Sequence, residues 1–204
     1  MDNFFVNTRS SIKLTGTKIL YFDPLDIEGE PHDADMVFVT HEHYDHFSPE
    51  DIKKVLKPDS QIIVPAVMVD MIRENGFQAQ GIHGVVPGET KSFDGIKCHG
   101  IPAYNIDKAF HPKAKQWLGF LVELDGKTYY VMGDTDVTPE AEAVEADVVF
   151  VPIGGKYTMD VVEAAEFINE KSPRLAVPIH YGDAKTAERF IKLLKCEGEI
   201  KNEI

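Results

Sequence analysis

Three short apolar runs in this chain each end on side chains suited to holding a metal ion. Residues 36–40, Met-Val-Phe-Val-Thr, lead straight into His41-Glu42-His43-Tyr44-Asp45-His46. Residues 129–132 lead into Gly133-Asp134-Thr135, and residues 175–179 into His180-Tyr181-Gly182. Runs of this length, rich in β-branched and aromatic residues, read as strands. A strand that ends at a sheet edge delivers the next loop to a fixed place, and a rigid scaffold holding loop residues is the usual way a site is made. The pattern therefore asks for a sheet-based fold with His and Asp side chains gathered where strands end.

Further strands are expected at residues 11–14, 18–22, 61–64, 96–103, 118–124, 128–132 and 148–152, with a hairpin turn at Leu124-Asp125-Gly126-Lys127. A helix should start at Pro49, capped by Ser48 with Asp51 at the capping-box position, bury Ile52, Val55 and Leu56, and end before Pro58. Others are expected over residues 66–75, stopped by Gly76, from Asp160 with Glu163 completing its box, and over residues 184–196. The most apolar strands, 36–40, 148–152 and 175–179, stand beside helical segments, which suggests sheets sandwiched by helices. With 204 residues, 43% of them apolar, the chain suffices for one substantial core, so a single domain over residues 1–204 is expected.

A formal net charge of -13 argues against a sequence-independent grip on nucleic acid, which depends on Lys and Arg displacing counterions from phosphates. The first residues carry no basic stretch followed by an apolar run, and no segment is long enough to span a bilayer, so a cytoplasmic protein without membrane contact is expected. Cys98 and Cys196 have neither metal-ligand nor redox spacing and read as packing thiols.

Within His41 to His46, four potential ligands fall in six residues. Side chains two apart face the same way on an extended chain, so His41 and His43 can share one direction while Asp45 and His46 turn to another. One segment can thus serve two ions. Imidazole nitrogen and carboxylate oxygen suit zinc, and also manganese or iron.

The His41-x-His43-x-Asp45-His46 motif, the Gly133-Asp134-Thr135 turn and Pro178-Ile179-His180-Tyr181 together resemble the metallo-β-lactamase superfamily in order and spacing. The resemblance implies an αββα four-layer sandwich, two mixed sheets flanked by helices. It further implies His41 and His43 on a first metal, Asp45, His46 and His180 on a second, and Asp134 bridging both. The segment Pro152-Ile153-Gly154-Gly155-Lys156-Tyr157-Thr158-Met159 and the small size look like the ascorbate-6-phosphate lactonase-like branch. Members of that branch often carry a histidine near the N-terminus in a Gly-His-Ser-like segment, where this chain has Thr8-Arg9-Ser10-Ser11. The family also expects a third histidine for the first metal. This chain offers His83, His99 and His111, and the strand over residues 96–103 leads to Asn105. An amide oxygen is a weak ligand beside imidazoles, so His111 is expected there, with Asn105 the alternative.

The activity implied by the resemblance is hydrolysis of a small ester, lactone or phosphoester, with hydroxide drawn from a water between two divalent ions, zinc in the first place. The resemblance gives Asp45 the catalytic role of orienting that water and passing a proton. Lys156 and Tyr157 follow the strand over residues 148–152 to the same edge and are candidate substrate contacts, Tyr157 for an oxyanion. Asp23 is a candidate support for a metal-bound imidazole. Trp117 and Phe120 read as core, and Lys108, Lys113 and Lys115 as surface solvation. The competing readings are a non-catalytic metal-binding or interaction module and a diiron redox protein.

Overall fold

The computed structural model describes residues 4–77 and 81–201. Strands β1 (Phe4–Val6), β2 (Ile12–Thr15), β3 (Ile19–Phe22), β4 (Ala34–Phe38), β5 (Leu56–Pro65) and β6 (Ile82–Val85) form one sheet in sequence order. The first three are antiparallel; β3 to β6 are parallel. The second sheet runs in the order β13-β12-β11-β10-β9-β8-β7. It comprises β7 (Thr90–Phe93), β8 (Ile96–Pro102), β9 (Leu118–Leu124), β10 (Lys127–Val131), β11 (Val148–Pro152), β12 (Leu175–Ile179) and β13 (Glu197–Gly198). Strands β7 to β10 are antiparallel, β10 to β13 parallel. Both sheets are mixed, and the αββα arrangement expected from the sequence is what forms.

Alternation along the strands creates the layers. Met36 and Phe38 of β4 point between the sheets, where Phe38 meets Phe120 of β9 with ring centroids 5.3 Å apart. Val37 points outward, under helices α1 (Pro49–Val55) and α2 (Val69–Glu74), against Ile52, Val55 and Ile72. On the other sheet Val148 and Phe150 face inward. Val149 and Val151 pack outward against Ala164, Phe167 and Ile168 of α4 (Val161–Lys171) and Phe190 of α5 (Ala184–Leu193). Strands covered on both faces are apolar throughout, which is why these were legible as continuous runs.

Helix α1 has the expected Ser48 cap and Pro49 start, and α4 has the full capping box of Asp160 and Glu163. Several elements depart from expectation, and strands β1, β6, β7 and β13 were not foreseen. Residues 66–75 divide into a 3-10 turn at Ala66–Met68 and the short α2, with no capping side chain on Pro65 or Met68 to fix one continuous start. α5 stops at Leu193 because Leu194 turns extended, and β13 then pairs beside β12. β5 begins at Leu56, directly from α1, and includes Pro58. The four-residue α3 (Pro139–Glu142), capped by Thr138, was not foreseen.

The strand ends carry the site. β4, β10 and β12 finish at one edge, where the sheets are stitched by backbone hydrogen bonds: Leu118 N–H to the Thr40 carbonyl (3.2 Å) and His180 N–H to the Arg9 carbonyl (3.0 Å). Among the described residues no helix is long and apolar enough to cross a membrane.

Cys98 lies in the core, and burial pushes its thiol up to about 12, whereas Cys196 is partly exposed. At pH 8 the Cys98 thiolate is about one part in ten thousand. Native protein should therefore react with one equivalent of a thiol reagent per chain and guanidinium-unfolded protein with two. Two equivalents at native rates would contradict this packing.

Candidate metal centre

The loop after β4 is organised by a carboxylate from the neighbouring strand. Asp23 follows β3 and is fully buried; its Oδ1 accepts the Thr40 N–H and its Oδ2 the Thr40 hydroxyl, both at 2.7 Å. The same Oδ2 accepts from His46 Nδ1 at 2.7 Å. With its own hydrogen on Asp23, the Thr40 hydroxyl accepts from His41 Nδ1 at 3.0 Å. Fixing Nδ1–H in this way turns the opposite nitrogens, Nε2 of His41 and His46, towards the centre. The support expected of Asp23 is what the geometry provides.

The seven residues that the sequence marks as candidate ligands come together. Three clusters have their ligand atoms within 4.8 Å of one another: His41, His43 and His111; His41, His46 and Asp134; and Asp45, His46 and His180. His41 Nε2 and His43 Nδ1 lie 3.1 Å apart. Asp134, after β10, sits among the rest: its Oδ2 is 3.3 Å from His111 Nε2 and 3.2 Å from His180 Nε2, and its Oδ1 is 3.3 Å from His46 Nε2. His180 Nε2 is also 3.3 Å from Asp45 Oδ2.

These distances fall in ion-pair range without hydrogen-bond angles. Among the described residues, Nε2 of His46, His111 and His180 and Oδ1 of Asp134 are buried with no hydrogen-bond partner. Buried polar atoms left unpaired are costly, and several at one point need a common partner. Ligands about 2.1 Å from one tetrahedral ion lie about 3.4 Å apart, close to the spacings here. The donor set therefore fits a divalent ion.

His111 and Asn105 are not rivals for one position. Asn105 Oδ1 accepts the His111 backbone N–H at 3.0 Å and lies 3.1 Å from His111 Nδ1, which is also 3.1 Å from the Tyr157 carbonyl. Two acceptors facing Nδ1 require it to carry the proton, leaving the Nε2 lone pair directed at Asp134. The Asn105 amide donates to the Tyr157 carbonyl (2.9 Å) and to Asp136 Oδ1 (3.2 Å), and Asp136 is paired with Lys108 at 2.6 Å. Sequence reasoning missed this series of contacts, although Asp136, two residues beyond Asp134, was a signal for it. Trp117 is core, as expected, and its ring packs on His41 and His43 at 5.0 and 4.8 Å.

Burial and neighbouring charges act against one another across the centre. Burial, reinforced by His46, pushes His41 well below the usual imidazole range. For His46 burial acts the same way, but the Asp134 and Asp23 carboxylates outweigh it and hold the imidazole well above that range. Burial likewise works against the Asp134 charge, yet His46 and His180 keep the carboxyl far below its ordinary value. Asp45 is also held low, against burial, by its contact with His180 and by His46.

Above the ligands opens a cleft of about 410 Å³, bounded also by Arg9, Tyr44, Phe110 and Tyr157. The Tyr157 ring meets Phe110 edge-on at 4.7 Å. Lys156 is not buried against the cleft and does not line it; its ammonium lies 4.9 Å from the Tyr157 ring. Gly154 is needed for close approach: a Cβ there would come 2.5 Å from the His180 carbonyl oxygen. Lys113 and Lys115 pair with Glu140 and Glu42, both at 2.7 Å. His32, His83 and His99 lie outside the three clusters.

Comparison with known proteins agrees with this geometry. The sequence model of the beta-lactamase superfamily domain matches residues 3–181. The chain belongs to the metallo-β-lactamase superfamily. It is 33% identical over 207 residues to a UPF0173 metal-dependent hydrolase of Pyrococcus abyssi, covering 92% of this chain and 89% of the relative. A crystal structure from Parabacteroides distasonis, described as a metal-dependent hydrolase, is 28% identical with a TM-score of 0.81, over 95% of this chain and 90% of that one. A metallo hydrolase of Ignicoccus hospitalis, 21% identical, shares the fold with a TM-score of 0.74 over 98% and 96% of the two chains.

Two outcomes are expected of this superfamily member. Asn105→Ala should weaken metal binding about 10- to 100-fold, read by competition with a chromophoric chelator; unchanged affinity would show that Asn105 does not orient His111. Because the His46 proton must leave before Nε2 can bind a metal, loading should release protons and affinity should rise with pH towards the raised His46 value. Titrations at several pH values with equal affinity would contradict the charge arrangement.

Proposed function

We propose that this metal-dependent hydrolase holds two divalent ions, zinc with manganese or iron as alternatives, and cleaves a small ester, lactone or phosphoester. The observation that carries the reading is the position of Asp134. One carboxylate oxygen lies within 3.3 Å of ligand nitrogens from both groups, His111 on one side and His180 on the other. His41, His43 and His111 would hold one ion and Asp45, His46 and His180 the other, with Asp134 between them.

When bound, the ions supply Lewis acidity and lower the pKa of a shared water. The remaining work belongs to the chain. Asp45 Oδ2 stands at the cleft floor, ionised and next to His180, where it orients the attacking water and takes its proton for return to the leaving oxygen. Asp23 and Thr40 lock the His41 and His46 rings, and Asn105 with the Tyr157 carbonyl locks His111. Trp117 closes the back of the first group against water. Tyr157, on the cleft wall, is placed to contact the oxygen that gains charge, and Lys156 beside it to approach a substrate longer than the cleft. A cleft of about 410 Å³ suits a small molecule.

Metal analysis of purified protein should find two ions per chain. Esterase, lactonase or phosphodiesterase activity should vanish on chelation and return with Zn²⁺ or Mn²⁺. Asp134→Ala should lose both ions, whereas His180→Ala should lose one. Activity insensitive to chelator, or single-ion loss in both variants, would overturn the assignment.

A further inference from the structure

Arg9, in the segment Thr8-Arg9-Ser10-Ser11, has a definite environment in the structure. It lines the cleft beside Asp45 and His180. Its side chain is 46% exposed, and its guanidinium meets Asp45, Nη1 to Oδ2, at a long 3.3 Å. One such contact leaves most of its N–H donors for something else. The basic side chains nearby differ in this respect: Lys108 is paired with Asp136 at 2.6 Å and Lys115 with Glu42 at 2.7 Å. Among the described residues lining the cleft, Arg9 is the one Lys or Arg.

The backbone shows that this position is built. Arg9 takes a left-handed conformation, φ 46°, that non-glycine residues seldom adopt. Its carbonyl accepts the N–H of His180, itself left-handed at φ 53°. The turn is closed by the Ser11 N–H on the Thr8 carbonyl at 2.8 Å, and Ser10 and Ser11 are buried. These contacts fix the backbone from which the Arg9 side chain enters the cleft. Phe110 and Tyr157 line the same cleft and offer apolar ring surface.

A planar guanidinium with spare donors, fixed beside the reacting position in a chain of net charge -13, matches the fork geometry of a carboxylate or phosphate. We infer that Arg9 is the specificity-determining residue of this cleft, and that the substrate is a small anion bearing a carboxylate or phosphate on a partly apolar body. The inference rests on the hydrolase reading for the bond that is broken, and on Arg9 itself for the anion.

The test is calorimetric titration of the metal-containing protein as purified with benzoate, phenyl phosphate and the neutral benzamide, comparing wild type with Arg9→Gln and Arg9→Lys. At least one anion should bind the wild type more tightly than benzamide, and the tighter anion identifies the group recognised. Arg9→Gln should weaken it about tenfold or more, Arg9→Lys by less, with benzamide unchanged. Failure of both anions to bind, unchanged anion affinity in Arg9→Gln, or equal losses for benzamide and the anion would overturn the inference. So would loss of metal from Arg9→Gln together with the anion, which would make Arg9 a support for Asp45. Metal content measured in parallel keeps the two readings apart: anion selection through Arg9 in a protein holding fewer than two ions would end the two-ion reading and leave this one standing.

Discussion

The structure depends on a carboxylate that the fold buries without giving it a hydrogen bond on one oxygen. Asp134 is 4% exposed, and Nε2 of His46, His111 and His180 stand at 3.2 to 3.3 Å from it, each without a hydrogen-bond partner. Packing alone would select against such an arrangement, since buried polar atoms without hydrogen-bond partners are costly. It persists because the surrounding elements are rigid: Asp134 leaves β10, His41 to His46 leave β4, and His180 leaves β12. A metal ion held there would offset this cost.

The two sheets are consequently not independent layers that happen to meet. Each contributes candidate ligands, and each is tied to the other at the edge where those residues lie, through Leu118 to Thr40 and His180 to Arg9. The cross-sheet contact of Phe38 with Phe120 joins β4 to β9, the same two strands whose ends are bonded through Thr40 and Leu118. Core packing therefore sets the spacing of the centre. The rings are held from behind by a second tier of polar contacts: Asp23 on His46, Thr40 on His41, and Asn105 on His111. In each case Nδ1 carries the proton, and Nε2 faces the other ligands.

The cluster from His41 to His46 was legible in the sequence because its members are adjacent, and an apolar strand before it says where it goes. Strands β9, β11 and β12 were legible to the residue, since burial leaves an apolar signature on their own sequence. Strands β6, β7 and β13 were not: Ile82–Val85, Thr90–Phe93 and Glu197–Gly198 are short, with at most two buried apolar residues each, and become strands because a neighbour offers its edge. The split of residues 66–75 was hidden for a related reason, since a missing cap is a weaker signal than a present one.

The sequence by itself determined most of the strands and helices and the residue types gathered at the strand ends, because local periodicity and adjacency encode these directly, and its motifs carried the resemblance that implies the superfamily and its fold. Only the tertiary structure decided how distant residues share the work. Asn105 and His111 look like alternatives along the chain, yet the loop between them folds back so that one holds the other, with the Tyr157 carbonyl closing the contact from another strand end. Arg9 stands far from His180 along the chain, yet its carbonyl accepts the His180 N–H across the two sheets. Such relations depend on which loops meet across two sheets, a distance in space for which separation along the chain is no guide.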